Sequence, residues 1–128
     1  MTGRPVTEGR PTAVVLDEPL SLWGGFDPAT GRIIDRRHPQ AGTELAGHVV
    51  VMPSGRGSSS SSSVLAEAIR AGTAPAAFLL LEPDEILSLG ALVAEELYGR
   101  TCPVVVLEAE AYRSIRTGDV VTIPSHPG

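Results

Sequence analysis

The residues best suited to chemistry lie together in Pro53-Ser54-Gly55-Arg56-Gly57-Ser58. There the apolar run Val49 to Met52 stops at a glycine-rich turn that enters six consecutive serines, Ser58 to Ser63, and then a helix-like segment. Such a turn gathers backbone N–H groups, one guanidinium and several hydroxyls at a single helix N-terminus. An anionic ligand or a developing negative charge is well stabilised at that point. Arg56 can hold a carboxylate as a two-pronged fork or stabilise a neighbouring oxyanion, and the glycines on both sides let backbone and ligand approach closely. The alternatives are a solvent-exposed arginine on a turn and a flexible linker, which is what serine runs usually are. Against the linker, the run joins two core elements, with Val49 to Met52 on one side and Val64, Leu65, Ala68 and Ile69 on the other.

Positioning that turn requires one real core. The chain has 128 residues, 42% of them hydrophobic, and a formal charge of −5, which fits a single domain with no basic patch for nucleic acid. All ten basic residues are arginine. No apolar stretch approaches the roughly 20 residues that span a bilayer, and Met1 to Pro5 lacks the apolar core of a signal peptide, so a cytoplasmic location is expected. The single cysteine, Cys102, excludes an internal disulfide and a self-contained thiolate metal cluster, and is expected to be a small buried hydrophobe. No metal site is expected in this chain.

Residues 1–11 read as a loose N-terminal arm, residues 12–123 as one domain and residues 124–128 as a mobile tail. Thr12 to Leu16 reads as a short strand. Asp27-Pro28-Ala29-Thr30-Gly31 is a strong turn signal, with Ile33-Ile34 as a brief apolar insertion before a polar loop. Gly47 to Met52 has the short, β-branched, non-alternating pattern of a fully buried strand. The helix after the serines is expected to start near Ser59 to Ser62 with a serine N-cap, and to end at Gly72. A strand over Ala76 to Leu81 leads to a second helix opened by Pro83-Asp84-Glu85, with Ile86, Leu89, Val93 and Leu97 as its expected buried stripe and Gly99 as its end. Val104 to Leu107 reads as a strand, followed by a polar passage and a last strand from Val120 to Ile123. Alternating strands and helices in the second half predict parallel strands joined by helical crossovers, with strands of the first half forming another layer. The expected fold is therefore an α/β, three-layer β/β/α domain with a mixed sheet, ahead of a flavodoxin-like single sheet.

Several of these segments together resemble the small subunit of the aconitase X family. They are Pro19-Leu20-Ser21-Leu22-Trp23-Gly24-Gly25-Phe26-Asp27-Pro28, Thr30-Gly31-Arg32-Ile33-Ile34-Asp35 with His38-Pro39, the Pro53 to Ser59 turn, and Gly72-Thr73-Ala74-Pro75-Ala76-Ala77. The resemblance covers roughly residues 12 to 123. It implies a swivelling β/β/α domain that closes over a larger subunit holding an iron–sulfur cluster, with no cofactor bound by this chain. It also implies a dehydration of cis-3-hydroxy-L-proline, as in many bacterial members, or of mevalonate 5-phosphate, as in archaeal ones. The same resemblance places the base on the first serine after Gly-Arg-Gly, here Ser58, acting as an alkoxide.

Dehydrating a hydroxy acid needs a base for the proton beside the carboxylate and a Lewis acid for the departing hydroxide. The turn has groups for the first task and the chain has none for the second, which suits half of a split site. One pKa unit is about 1.4 kcal/mol, while a helix N-terminus supplies only about 0.3 to 2 kcal/mol. Ser58 therefore needs Arg56, the N–H groups of the turn and exclusion of water by a partner before it becomes basic. Arg56, Gly57 and Ser59 are the expected substrate-binding residues, with an N-cap as the other reading of Ser59. Ser60 to Ser63 are assigned no catalytic duty. Asp27 and His38 are candidates for the site mouth or interface, with loop fixation as the alternative for each. Trp23 is expected in the core, with a contact to the partner subunit as the alternative. Arg36-Arg37 could serve a phosphate, but the Pro83 to Glu85 start and Glu95 to Gly99 end of the second helix look closer to bacterial members and favour cis-3-hydroxy-L-proline. The competing class is a module that binds an anionic metabolite on the serine turn without turning it over.

Overall fold

The computed structural model describes residues 11–122. The proposed arm up to residue 10, Ile123 and the 124–128 tail lie outside the described residues. Strands β1 (Ala13–Val15), β4 (Val49–Val51), β5 (Ala77–Leu80) and β6 (Val104–Val106) form one sheet in the order β1-β4-β5-β6, parallel throughout. Its centre explains the non-alternating sequence: Val49, Val50 and Val51 are all completely buried because both faces of the sheet are covered.

The crossovers are helix α2 (Ser61–Ala71), between β4 and β5, and helix α3 (Glu85–Tyr98), between β5 and β6. Gly72 and Gly99 end them in the left-handed conformation that the missing Cβ permits. Val14, Leu16, Val50, Met52, Phe78 and Leu80 face α2 and α3. The same core takes in Phe26 and Ile33 from an antiparallel ribbon, β2 (Phe26–Asp27) with β3 (Arg32–Ile33), so the first half of the chain does supply a further layer of strands. Between these two strands the Asp27 carbonyl accepts from the N–H groups of Thr30 and Gly31, which closes the turn expected there. On the other face, Ala13, Val49, Val51, Ala77 and Leu79 are covered by Tyr112, Ile115 and Val121.

The structure corrects the sequence reading in four places. Trp23 is 59% exposed rather than in the core; it lies in the short turn α1 (Leu22–Gly25), where Trp23 and Gly24 leave helical geometry and Leu22 and Gly25 are the buried members. The polar passage after β6 contains a helix, α4 (Ala109–Ser114), six residues long and so too short to carry a periodic signal. The strand expected over Val120 to Ile123 is represented among the described residues by a single antiparallel bridge from Val120 to Thr12. The buried stripe of α3 is Leu87, Gly90 and Ala94, not Ile86, Leu89, Val93 and Leu97; Leu89, Val93 and Leu97 are 52%, 36% and 66% exposed.

The last correction has a packing cause. Helix α3 is apolar on nearly every side, so spacing alone admits more than one stripe. The close approach of α2 selects the side with small residues. A Cβ at Gly90 would stand 2.6 Å from the Ser62 carbonyl oxygen and 3.3 Å from the Leu65 Cβ.

Candidate functional site

At the carboxyl ends of β4 and β5, where crevices of α/β sheets bind ligands, a cleft of about 100 Å³ opens between the serine turn and the start of α3. Leu20, Leu22 and Leu87 supply apolar lining, and Arg56, Ser58, Ser61 and Asp84 the polar lining. The turn that sequence reasoning singled out is therefore the polar rim of a real concavity.

Ser58 is exposed, with helix α2 beginning three residues later. Its Oγ accepts a hydrogen bond of 3.0 Å from the Ser60 N–H, and its carbonyl accepts one of 3.0 Å from the Ser61 N–H. A donor aimed at a hydroxyl oxygen favours the ionised form over the neutral one, so the geometry works in the direction an alkoxide needs. Among the described residues the N–H groups of Gly57, Ser58 and Ser59 have no protein acceptor, which leaves them open to a ligand. Gly57 holds φ at +97°, and a Cβ there would meet the Ser21 Oγ at 2.5 Å, so the turn needs glycine twice over. Arg56 lines the cleft, is exposed and makes no ion pair among the described residues.

The cap of α2 differs from expectation. Ser60 occupies the N-cap position in helical geometry with no side-chain capping bond, while Ser59 contributes its carbonyl to the N–H and hydroxyl of Ser62. The hydroxyl nearest to a capping role is that of Ser58, because the turn tightens into successive i to i+3 bonds before the helix starts.

Two residues of the cleft were undervalued from sequence. Ser61 is only 4% exposed, and its Oγ accepts from the Trp23 N–H at 3.1 Å, tying the Leu22–Gly25 turn to the first residue of α2. Its spacing of four from Leu65 and seven from Ala68 puts it on the buried face of the helix, a signal present in the sequence. Asp84 is the N-cap of α3: its Oδ1 accepts from the Ile86 and Leu87 N–H groups at 3.0 and 2.9 Å. Its Oδ2 accepts from the Gly55 N–H at 3.1 Å, across 29 residues. One carboxylate thus caps a helix and pins the serine turn against it.

Asp27 and His38 do not line the cleft. Asp27 accepts from the Ala29 N–H and the Thr30 hydroxyl and holds its own turn. His38 is 6% exposed; its Nδ1 accepts from the Gln40 N–H, so the other nitrogen carries the proton and donates to the Glu18 carbonyl. Both act as loop-fixing residues. Arg36 and Arg37 also lie outside the cleft lining, Arg37 being 3.7 Å from Asp35.

Among the described residues the side chains do not fit an iron–sulfur cluster or another metal. Among the described residues no group of three or more His, Cys, Asp and Glu side chains could hold an ion. Cys102 is buried outside the cleft, and loss of hydration pushes its thiol up to about 12, away from the thiolate a cluster requires. Among the described residues no helix is long and apolar enough to cross a membrane.

A family model described as the aconitase X swivel domain matches residues 1–128. The chain is 53% identical over 105 residues to a cis-3-hydroxy-L-proline dehydratase of Pseudomonas aeruginosa, a match covering 78% of this chain and 18% of that protein. It is 34% identical over 131 residues to a phosphomevalonate dehydratase small subunit of Methanosarcina acetivorans, covering all of this chain and 87% of that one. Among solved structures, the aconitase X of Thermococcus kodakaraensis superposes with a TM-score of 0.76 at 29% identity over 88% of this chain and 79% of that chain. The chain spans less than a fifth of the length of the cis-3-hydroxy-L-proline dehydratases that it matches.

Proposed function

Because the chain belongs to the aconitase X swivel-domain family, we propose that it is the small subunit of a hydro-lyase that dehydrates cis-3-hydroxy-L-proline and is inactive alone. In this reading Ser58 takes the proton from the carbon beside the substrate carboxylate. The C–H electron pair becomes the new double bond as the hydroxyl group departs, and the product leaves with water. The observation that carries the reading is the exposed Ser58 Oγ on the rim of a cleft, already accepting from the Ser60 N–H, with Arg56 beside it. Arg56 and the free N–H groups of Gly57 and Ser59 receive the carboxylate, and Leu20 and Leu22 take the apolar ring edge. Asp84 and Ser61 hold the turn in place.

The second half of the elimination falls to a larger partner subunit, which on this reading holds the iron–sulfur cluster and supplies the Lewis acid for the departing hydroxide. The relatives named small subunits, and the dehydratases several times longer than this chain, support a partner of that kind. A two-chain enzyme in the cytoplasm is part of the proposal.

Two observations favour cis-3-hydroxy-L-proline over mevalonate 5-phosphate. The higher identity is to a dehydratase of the former, and among the described residues Arg56 is the one guanidinium lining the cleft, enough for a carboxylate but sparse for a phosphate as well. The test is a reconstituted two-subunit enzyme assayed with both compounds. Turnover of cis-3-hydroxy-L-proline that Ser58→Ala lowers by at least about a thousandfold, with assembly intact, is the expected result. Preferential turnover of mevalonate 5-phosphate would replace the substrate, and full activity in the alanine variant would remove Ser58 as base. Tight binding of a carboxylate by the isolated chain, with no partner, would favour the anion-binding module.

A further inference from the structure

Among the described residues nothing covers the outer side of α3. Leu89, Leu92, Val93 and Leu97 recur at the spacing of a single helical face, yet Leu89 is 52% exposed, Leu92 55% and Leu97 66%. Beside them the edge strand β6 leaves Val106 46% exposed. Two grooves of about 260 Å³ each run along this seam. One is floored by Leu89, Leu92, Val104 and Val106, the other by Ala91, Leu92, Pro103 and Val104. A helix apolar on both sides, beside an edge strand that no described residue covers, is the pattern of an element buried twice, once in its own fold and once against another body.

We infer that this α3–β6 face is the docking surface for the large subunit, an inference that rests on the proposed two-subunit enzyme. Three observations select that occupant. Asp84 lines both the serine cleft and the α3–β6 groove, so a body that shuts over Ser58 is already adjacent to this face. In the cis-3-hydroxy-L-proline dehydratase of Pseudomonas aeruginosa the matching segment is 18% of the chain, so a domain of this kind exists there alongside a much larger body. Every charged residue lining the two grooves is acidic, namely Asp84, Glu85 and Glu95. A second copy related by a twofold axis would set these carboxylates against each other. A partner with an apolar patch ringed by lysine or arginine would complement them.

The test uses the intact chain assembled with the large subunit of its own organism, with affinity measured by titration calorimetry. Leu92→Glu and, from the other wall of the same groove, Val106→Glu should each weaken association by about a hundredfold or more, since each puts a charge into an apolar contact. Because both side chains are half exposed in the free chain, circular dichroism should remain that of the parent. Glu85→Arg combined with Glu95→Arg should slow association and reverse its dependence on salt. Unchanged affinity in both groove variants, with the parent complex forming normally, would overturn the docking surface and leave the functional reading standing. Failure of the parent chain to assemble at all would overturn the functional reading and this inference with it. A parent dimer at micromolar concentration that Leu92→Glu converts to monomer would assign the face to a second copy and overturn the inference.

Discussion

Replacing Asp84 by asparagine separates the two tasks of one carboxylate. Oδ1 satisfies two N–H groups at the start of α3, and Oδ2 satisfies the Gly55 N–H. Asparagine caps helices about as well as aspartate, so its single oxygen will stay with Ile86 and Leu87. Its NH2 group must then face the Gly55 N–H, donor against donor. A hydrogen bond to a charged acceptor is worth about 1.5 to 3 kcal/mol, and Asp84→Asn should cost about that much. Asp84→Ala loses the cap as well, about 1 kcal/mol more. Urea denaturation of the chain gives both values, and exchange of the Gly55 amide should speed up in both variants. In the proposed two-subunit enzyme a turn released by that amount should lower kcat by tenfold or more, at about 1.4 kcal/mol per decade, with a smaller change in KM. An asparagine variant within about 0.5 kcal/mol of the parent, with Gly55 exchange unchanged, would refute the pinning role; only changes larger than ordinary surface effects count.

Gly90→Val should destabilise the chain by about 1 to 3 kcal/mol, measured by the same denaturation, because its Cβ would fall 2.6 Å from the Ser62 carbonyl and force α2 and α3 apart. Cys102 should resist thiol reagents at pH 8 until the chain unfolds, as followed by absorbance of the released chromophore. Its pKa is raised from 9.0 to about 12 by burial. Between those values the unfolded chain loses the proton and the folded chain keeps it, so the contribution is whole below pH 9 and declines by about 1.4 kcal/mol per pH unit above it. Cys102→Ala should remove that part of the alkaline loss, seen by comparing denaturation midpoints at pH 8 and pH 10.

Much of this domain is legible in order along the chain. The β-branched run Val49 to Val51 has the composition of a strand covered on both faces, and it is one. Gly72 and Gly99 mark helix ends, and Asp27 to Gly31 marks a reversal, because each is a local conformational demand that needs no distant partner. The serine turn that carries the proposed site is visible for the same reason: Gly55, Arg56, Gly57 and Ser58 are consecutive. Asp84 reads from sequence as a helix-opening acid; its bond to Gly55 spans 29 residues and exists only once β4 and β5 lie side by side. The spacing of Ser61 from Leu65 and Ala68 already marks the buried face of α2, but its bond to the Trp23 N–H spans 38 residues and exists only in the folded chain. The side of α3 that meets the core was settled by how near α2 can approach, a matter of backbone against Gly90, which hydrophobic spacing cannot express when a helix is apolar on nearly every side. Local chemistry thus wrote the elements and the nucleus of the site, while contacts between segments far apart in the chain chose which faces were hidden and which residues hold the serine turn.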